Sequence, residues 1–126
     1  MMKDARDLVA ILDDDPSVRD ATASLLKANG FRTESFSSAS EFHNSPHHGE
    51  MGCLILDLRL PGMGGLELQR HLAAGHPEIS VVFVTAHASP EIRDEAMKAG
   101  AVDFLAKPFS EDALLRATRL ALEKSH

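Results

Sequence analysis

Cys53-Leu54-Ile55-Leu56-Asp57-Leu58-Arg59-Leu60-Pro61-Gly62-Met63-Gly64-Gly65 is an apolar run that ends in a carboxylate and then breaks into proline and glycines. A short apolar run bounded by turn residues is how a strand buried on both faces reads, and such strands belong to parallel sheets covered by helices. Asp57 then stands at the carboxyl end of its strand. That is the end at which open α/β sheets bind their ligands.

The same pattern recurs on either side of this stretch. Residues 8–12 form a second apolar run that ends in Asp13-Asp14-Asp15-Pro16, which makes it the first strand. Asp15 is a suitable N-cap and Pro16 a suitable first helical residue, and Val18, Ala21, Thr22, Leu25 and Leu26 recur at helical spacing until Gly30. Residues 31–36 alternate loosely, as an edge strand with one wet face would. Ser38-Ala39-Ser40-Glu41 has the form of a capping box and predicts a short helix that carries Phe42 inward and stops before Pro46.

A polar connection over 45–52 leads into the strand 53–57. Beyond the proline-glycine break, 66–74 reads as a helix with Leu68 and Leu72 one turn apart, closed by Gly75 and Pro77. Residues 79–84 form an apolar, β-branched strand that ends in Thr85. Ser89-Pro90-Glu91 opens a helix that Gly100 closes, and the last strand, 101–106, stops at Lys107-Pro108. Ser110 caps a final helix striped with Leu114, Ala117, Thr118, Ala121 and Leu122. Strands alternating with helices in this way predict a doubly wound α/β domain, one unit over residues 1–126.

Composition narrows the class of protein. Of 126 residues, 44% are apolar and 25% charged, the balance of a globular domain and not of a disordered chain. No apolar run approaches the ~20 residues needed to span a bilayer, and the charged start leads into no signal-like segment, so the expected location is the cytoplasm, with no membrane partner. The lone Cys53 lies within an apolar run and reads as an inert buried thiol. A formal charge of −6 argues against direct nucleic-acid binding by this domain.

The ends of the strands carry the chemistry. Asp13 and Asp14, then Asp57, Thr85 and Lys107, follow successive strands and in a parallel sheet share one edge. Carboxylates crowded together repel and either hold a proton or recruit a cation. An all-oxygen donor set suits Mg²⁺. With a cation in place a phosphoryl group can approach Asp57, whose carboxylate can act as a nucleophile. Lys107 can balance charge on the phosphoryl oxygens and the Thr85 hydroxyl can donate to one of them.

Four segments together give the chain a family likeness: Leu12-Asp13-Asp14-Asp15, Asp57 through Gly65, Val84-Thr85-Ala86, and Ala101 through Phe109. The chain resembles the receiver domain of bacterial two-component response regulators. The resemblance implies a flavodoxin-like five-stranded parallel sheet in the order 2-1-3-4-5 with five helices. It implies Asp57 as the phosphoacceptor, supplied by a sensor histidine kinase, and Mg²⁺ held by Asp13, Asp14, Asp57 and the backbone carbonyl of Arg59. Thr85 and Lys107 match the switch hydroxyl and the lysine of such domains, and Phe104 matches the aromatic switch residue. Many receivers have tyrosine at that last position. Pro108 matches a proline usually reached through a cis bond. The last two helices and the last strand form the expected dimer or output surface.

Three alternatives compete with this. Asp13-Asp14-Asp15-Pro16-Ser17 partly matches the nucleophile motif of haloacid-dehalogenase-type phosphatases, which usually need a larger core and a cap. A flavodoxin-like nucleotide binder would want glycines or hydroxyls in the first loop, where this chain has acids that repel phosphate. A pseudo-receiver would only bind partners, yet every reactive position is filled. His43, His47, His48, His71 and His76 read as surface residues, and Met63, Met97 and Phe109 as packing. His87 borders the expected pocket, where it is either solvated or tunes phosphoryl lifetime.

Overall fold

The computed structural model describes residues 6–60 and 64–125. Among them β1 (Leu8–Leu12), β2 (Arg32–Phe36), β3 (Met51–Asp57), β4 (Ser80–Thr85) and β5 (Asp103–Ala106) form one parallel sheet in the order β2-β1-β3-β4-β5. The connections carry α1 (Pro16–Ala28), α2 (Ala39–His43), α3 (Gly65–Gly75) and α4 (Pro90–Lys98), and α5 (Glu111–Lys124) follows the last strand. Class and strand order are those expected. No helix among the described residues is long and apolar enough to cross a membrane.

The apolar strands divide their residues between two layers, because successive side chains point to opposite faces. Leu54 and Leu56 of β3 join Phe42, Leu68, Leu72 and Ala96 on the side of α2, α3 and α4. Cys53 and Ile55 join Ala23, Leu26, Leu114 and Ala117 on the side of α1 and α5. Every residue of β3 is buried, so this strand is the centre of the molecule and Asp57 is its last residue. Burial pushes the Cys53 thiol up to about 12, consistent with an inert residue.

The predicted caps form: Asp15, Ser38, Ser89 and Ser110 each accept a backbone N–H from the first turn of the helix they precede. Gly30 and Gly100, with φ of +91° and +103°, follow the ends of α1 and α4 in the left-handed region that favours glycine. The capping box at Ser38 closes differently from expectation. Ser38 Oγ accepts the Glu41 N–H at 3.1 Å, but the Glu41 carboxylate turns to the N–H and hydroxyl of Ser37.

Several boundaries and faces shift. β3 begins at Met51, two residues early, because the register with β1 slips between Leu8 and Val9 and absorbs Gly52. A Cβ on Gly52 would fall against the Arg6 carbonyl and 2.8 Å from Leu122, so only glycine brings the strand so close to α5. β5 begins at Asp103, since Ala101 is held to the Ala96 carbonyl in the turn after α4. In α1 the buried face is Thr22, Ala23 and Leu26, while Ala21 is exposed. Met97 is also exposed, on the outer side of α4. His48 is not a solvated loop residue: its Nε2 lies 2.8 Å from the Phe42 carbonyl oxygen and its ring stacks on His76. Residues 61–63 of the expected tight turn, Met63 included, lie outside the described residues.

Candidate functional site

The loop after β1 starts with a buried carboxylate. Asp13 is 3% exposed; its N–H continues the sheet to the Phe36 carbonyl at 3.2 Å, and its Oδ1 accepts the Asp15 N–H at 3.0 Å. Asp14 is exposed beside it. Asp57, 8% exposed, accepts the Arg59 N–H on Oδ1 at 3.0 Å. The chain turns immediately after it: Leu58 N–H bonds the Val84 carbonyl, and Gly65 N–H returns to the Leu58 carbonyl at 3.0 Å. A Cβ on Gly65 would stand 2.9 Å from the Leu58 Cα and 3.0 Å from the Asp57 carbonyl oxygen, so glycine lets α3 start against the acid-bearing strand.

Lys107 closes the site from β5. Its Nζ lies 2.9 Å from Asp13 Oδ2 and 3.3 Å from Asp57 Oδ2. Its main-chain N–H holds the Thr85 carbonyl at 2.8 Å, and the bond to Pro108 is cis. The Thr85 side chain is fully buried, with Oγ1 accepting the His87 N–H at 3.0 Å. Because that oxygen accepts a main-chain bond, its own proton is available to an acceptor in the pocket. The His87 side chain is exposed, as is that of Arg59.

Opposing fields act on Asp57. Burial raises its pKa and the charge of Asp13 adds to that, against the Arg59 N–H and Lys107, and the net shift is upward. Burial pushes the Lys107 ammonium down, but its hydrogen bonds and charge contacts with Asp13 and Asp57 outweigh this, so it too titrates above its ordinary range. Asp13, Asp14 and Asp57 each offer an oxygen, all within 4.8 Å of one another. Hard oxygen donors that close, with one member open to solvent, fit a hard divalent cation that keeps part of its water shell.

Phe104 is 6% exposed in β5, in register with Phe83, and its carbonyl accepts Arg93 Nη1 at 3.3 Å. Beside Lys107 an apolar groove of about 520 Å³ runs between α1 and α5, lined among others by Val18, Leu25, Ala86, Pro108 and Phe109. One contact had no sequence signal: Arg19 Nη1 donates to the Asp13 carbonyl at 2.8 Å.

The sequence model of the response regulator receiver domain matches residues 9–119. The chain belongs to that family. This receiver domain is 45% identical over 122 residues to the response regulator protein TodT of Pseudomonas putida, covering 97% of the chain and 54% of TodT. It is 38% identical over 117 residues to the transcriptional regulatory protein FixJ of Azorhizobium caulinodans, covering 93% and 56%. Among solved structures, the response regulator StyR shares 46% identity at a TM-score of 0.84, over 92% of this chain and 59% of that one. The crystal structure of FixJ-N shares 38% identity at a TM-score of 0.82, over 97% and 96%. The receiver domain spans about half the length of the curated relatives it matches. It is a signalling domain of two-component response regulators.

Proposed function

We propose that this receiver domain takes a phosphoryl group from the phosphohistidine of a sensor histidine kinase onto Asp57. An Asp57 oxygen attacks phosphorus, the P–N bond breaks, and its electron pair stays on the imidazole. The observation that carries this is the buried carboxylate of Asp57 at a strand end, flanked by Asp13 and Asp14 and contacted by Lys107. Asp13, Asp14, Asp57 and the Arg59 carbonyl would hold Mg²⁺, which supplies charge neutralisation for the approach of an anion. Lys107 then meets the phosphoryl oxygens and Thr85 donates its hydroxyl. Slow hydrolysis of the acyl phosphate would reset the domain, and the cycle would run in the cytoplasm.

Engagement of Thr85 would free space for Phe104 and bias the surface of α4, β5 and α5 between two states. The exposed large apolar residues Met97 and Leu120, on α4 and α5, favour that face as the contact with an output partner or a second copy. We infer that the whole protein is a transcriptional regulator like its relatives. With a formal charge of −6, this domain would leave DNA to another one.

The test is intact-mass analysis after incubation with acetyl phosphate and Mg²⁺. A phosphoryl adduct mapping to Asp57 and absent from Asp57→Asn is expected. Labelling that survives Asp57→Asn and is lost with Asp13→Asn would move the nucleophile to Asp13.

A further inference from the structure

Arg19 is assigned no part in the chemistry, yet it reaches the residues that are. From α1, half-buried, it donates Nη1 to the main-chain carbonyl of Asp13 at 2.8 Å. On the other side of the same Cα, the Asp13 N–H donates to Phe36 at 3.2 Å. The two peptide units of Asp13 are therefore tied to α1 and β2, which leaves only its side-chain torsions free. Those are held by Asp15 N–H and Lys107. A carboxylate within 4.8 Å of two others would otherwise recoil from them.

We propose that Arg19 is a positioning residue: its bond to the Asp13 carbonyl holds that acid where it can serve a divalent cation, and so sets the cation affinity of the site. This rests on the assignment of the pocket to Mg²⁺. Charge alone predicts the opposite sign, because removing a guanidinium near three carboxylates should tighten cation binding.

Calorimetric titration with Mg²⁺ separates the two for the parent, Arg19→Ala, Arg19→Gln and Arg19→Lys, each checked for fold by circular dichroism and melting. The neutral variants are expected to bind about ten-fold more weakly, the scale of a lost outer-shell partner. Arg19→Lys keeps the charge and one donor and should recover most of the loss. An arginine with only a structural role would lower the melting temperature without moving the affinity of the folded protein. A folded neutral variant that binds Mg²⁺ as tightly as the parent, or more tightly, overturns the proposal; if Arg19→Ala does not fold, Arg19→Gln decides. A parent that takes up no Mg²⁺ defeats the cation assignment itself, a separate outcome.

Discussion

Lys107 Nζ sits 2.9 Å from Asp13 Oδ2, an ion pair that joins residues 94 positions apart and spans the sheet from β5 to β1. The side chains are 17% and 4% exposed, so water screens the pair poorly. Lys107→Met would leave Asp13 and Asp57 facing each other without a counter-ion. We expect a loss of about 3 kcal/mol at neutral pH, the lower end of the range for one-sided removal of a buried pair. The lysine pKa is raised in the fold, so the contribution is whole at pH 7 and fades only as pH rises above the ordinary lysine range. Urea unfolding of parent and variant at pH 7 measures it, and a variant as stable as the parent there would contradict this account.

Asp57→Asn should have the opposite effect on stability. The Asp57 pKa is raised, so the folded state holds this proton more tightly than the unfolded chain, and ionisation costs stability above the raised value. The asparagine variant is expected to be more stable than the parent on the order of 1 kcal/mol at pH 7, because it removes the cost of burying the charge and the repulsion from Asp13, partly offset by the weaker bond to the Arg59 N–H and the lost attraction to Lys107. That gain should disappear as pH falls through the carboxylate range. Melting curves at pH 7.5 and 4.5 decide it; a variant less stable than the parent at pH 7.5 would rule it out.

Gly65→Ala places a methyl group 2.9 Å from the Leu58 Cα and 3.0 Å from the Asp57 carbonyl oxygen. Backbone cannot yield as a flexible side chain would, so roughly 1–3 kcal/mol of stability should be lost. Because the displaced atoms belong to the proposed phosphoacceptor and the residue after it, the rate of adduct formation with acetyl phosphate should fall as well. A stability loss with an unchanged labelling rate would show that α3 moves and Asp57 does not.

Thr85→Ser keeps the hydroxyl that accepts the His87 N–H, and Thr85→Ala removes it. Both should still form the adduct on Asp57. Only the serine variant should keep the change in backbone amide shifts of β5 and α4 that beryllofluoride is expected to induce in the parent. A full response from the alanine variant would take Thr85 out of the switch.

Much of the architecture is legible because local chemistry and global topology agree. Strands flanked by capping residues and glycines announce their own limits, and parallel topology brings Asp13, Asp57 and Lys107 to one edge whatever the loops do. What escapes reading depends on partners distant in sequence. Gly52 looks like part of a loop until the bulge opposite β1 and the approach of Leu122 give it a place in β3. His48 looks solvated until Phe42 and His76 close around it. Arg19 looks like an ordinary polar residue of a helix surface, and its bond to a main-chain oxygen leaves no side-chain pattern to find. Ala21 and Ala23 are both small enough for either face, so periodicity alone does not choose between them.

The burial of Cys53 makes the molecule easy to instrument. As the lone cysteine, fully buried and with its thiol pushed up to about 12, it offers maleimides and methanethiosulfonates almost no thiolate at neutral pH. A cysteine introduced at an exposed position such as Leu120 on α5 would carry a spin label or dye with the native thiol left in place. A second introduced cysteine at exposed Met97 on α4 would then let the distance from α4 to α5 be followed with and without acetyl phosphate.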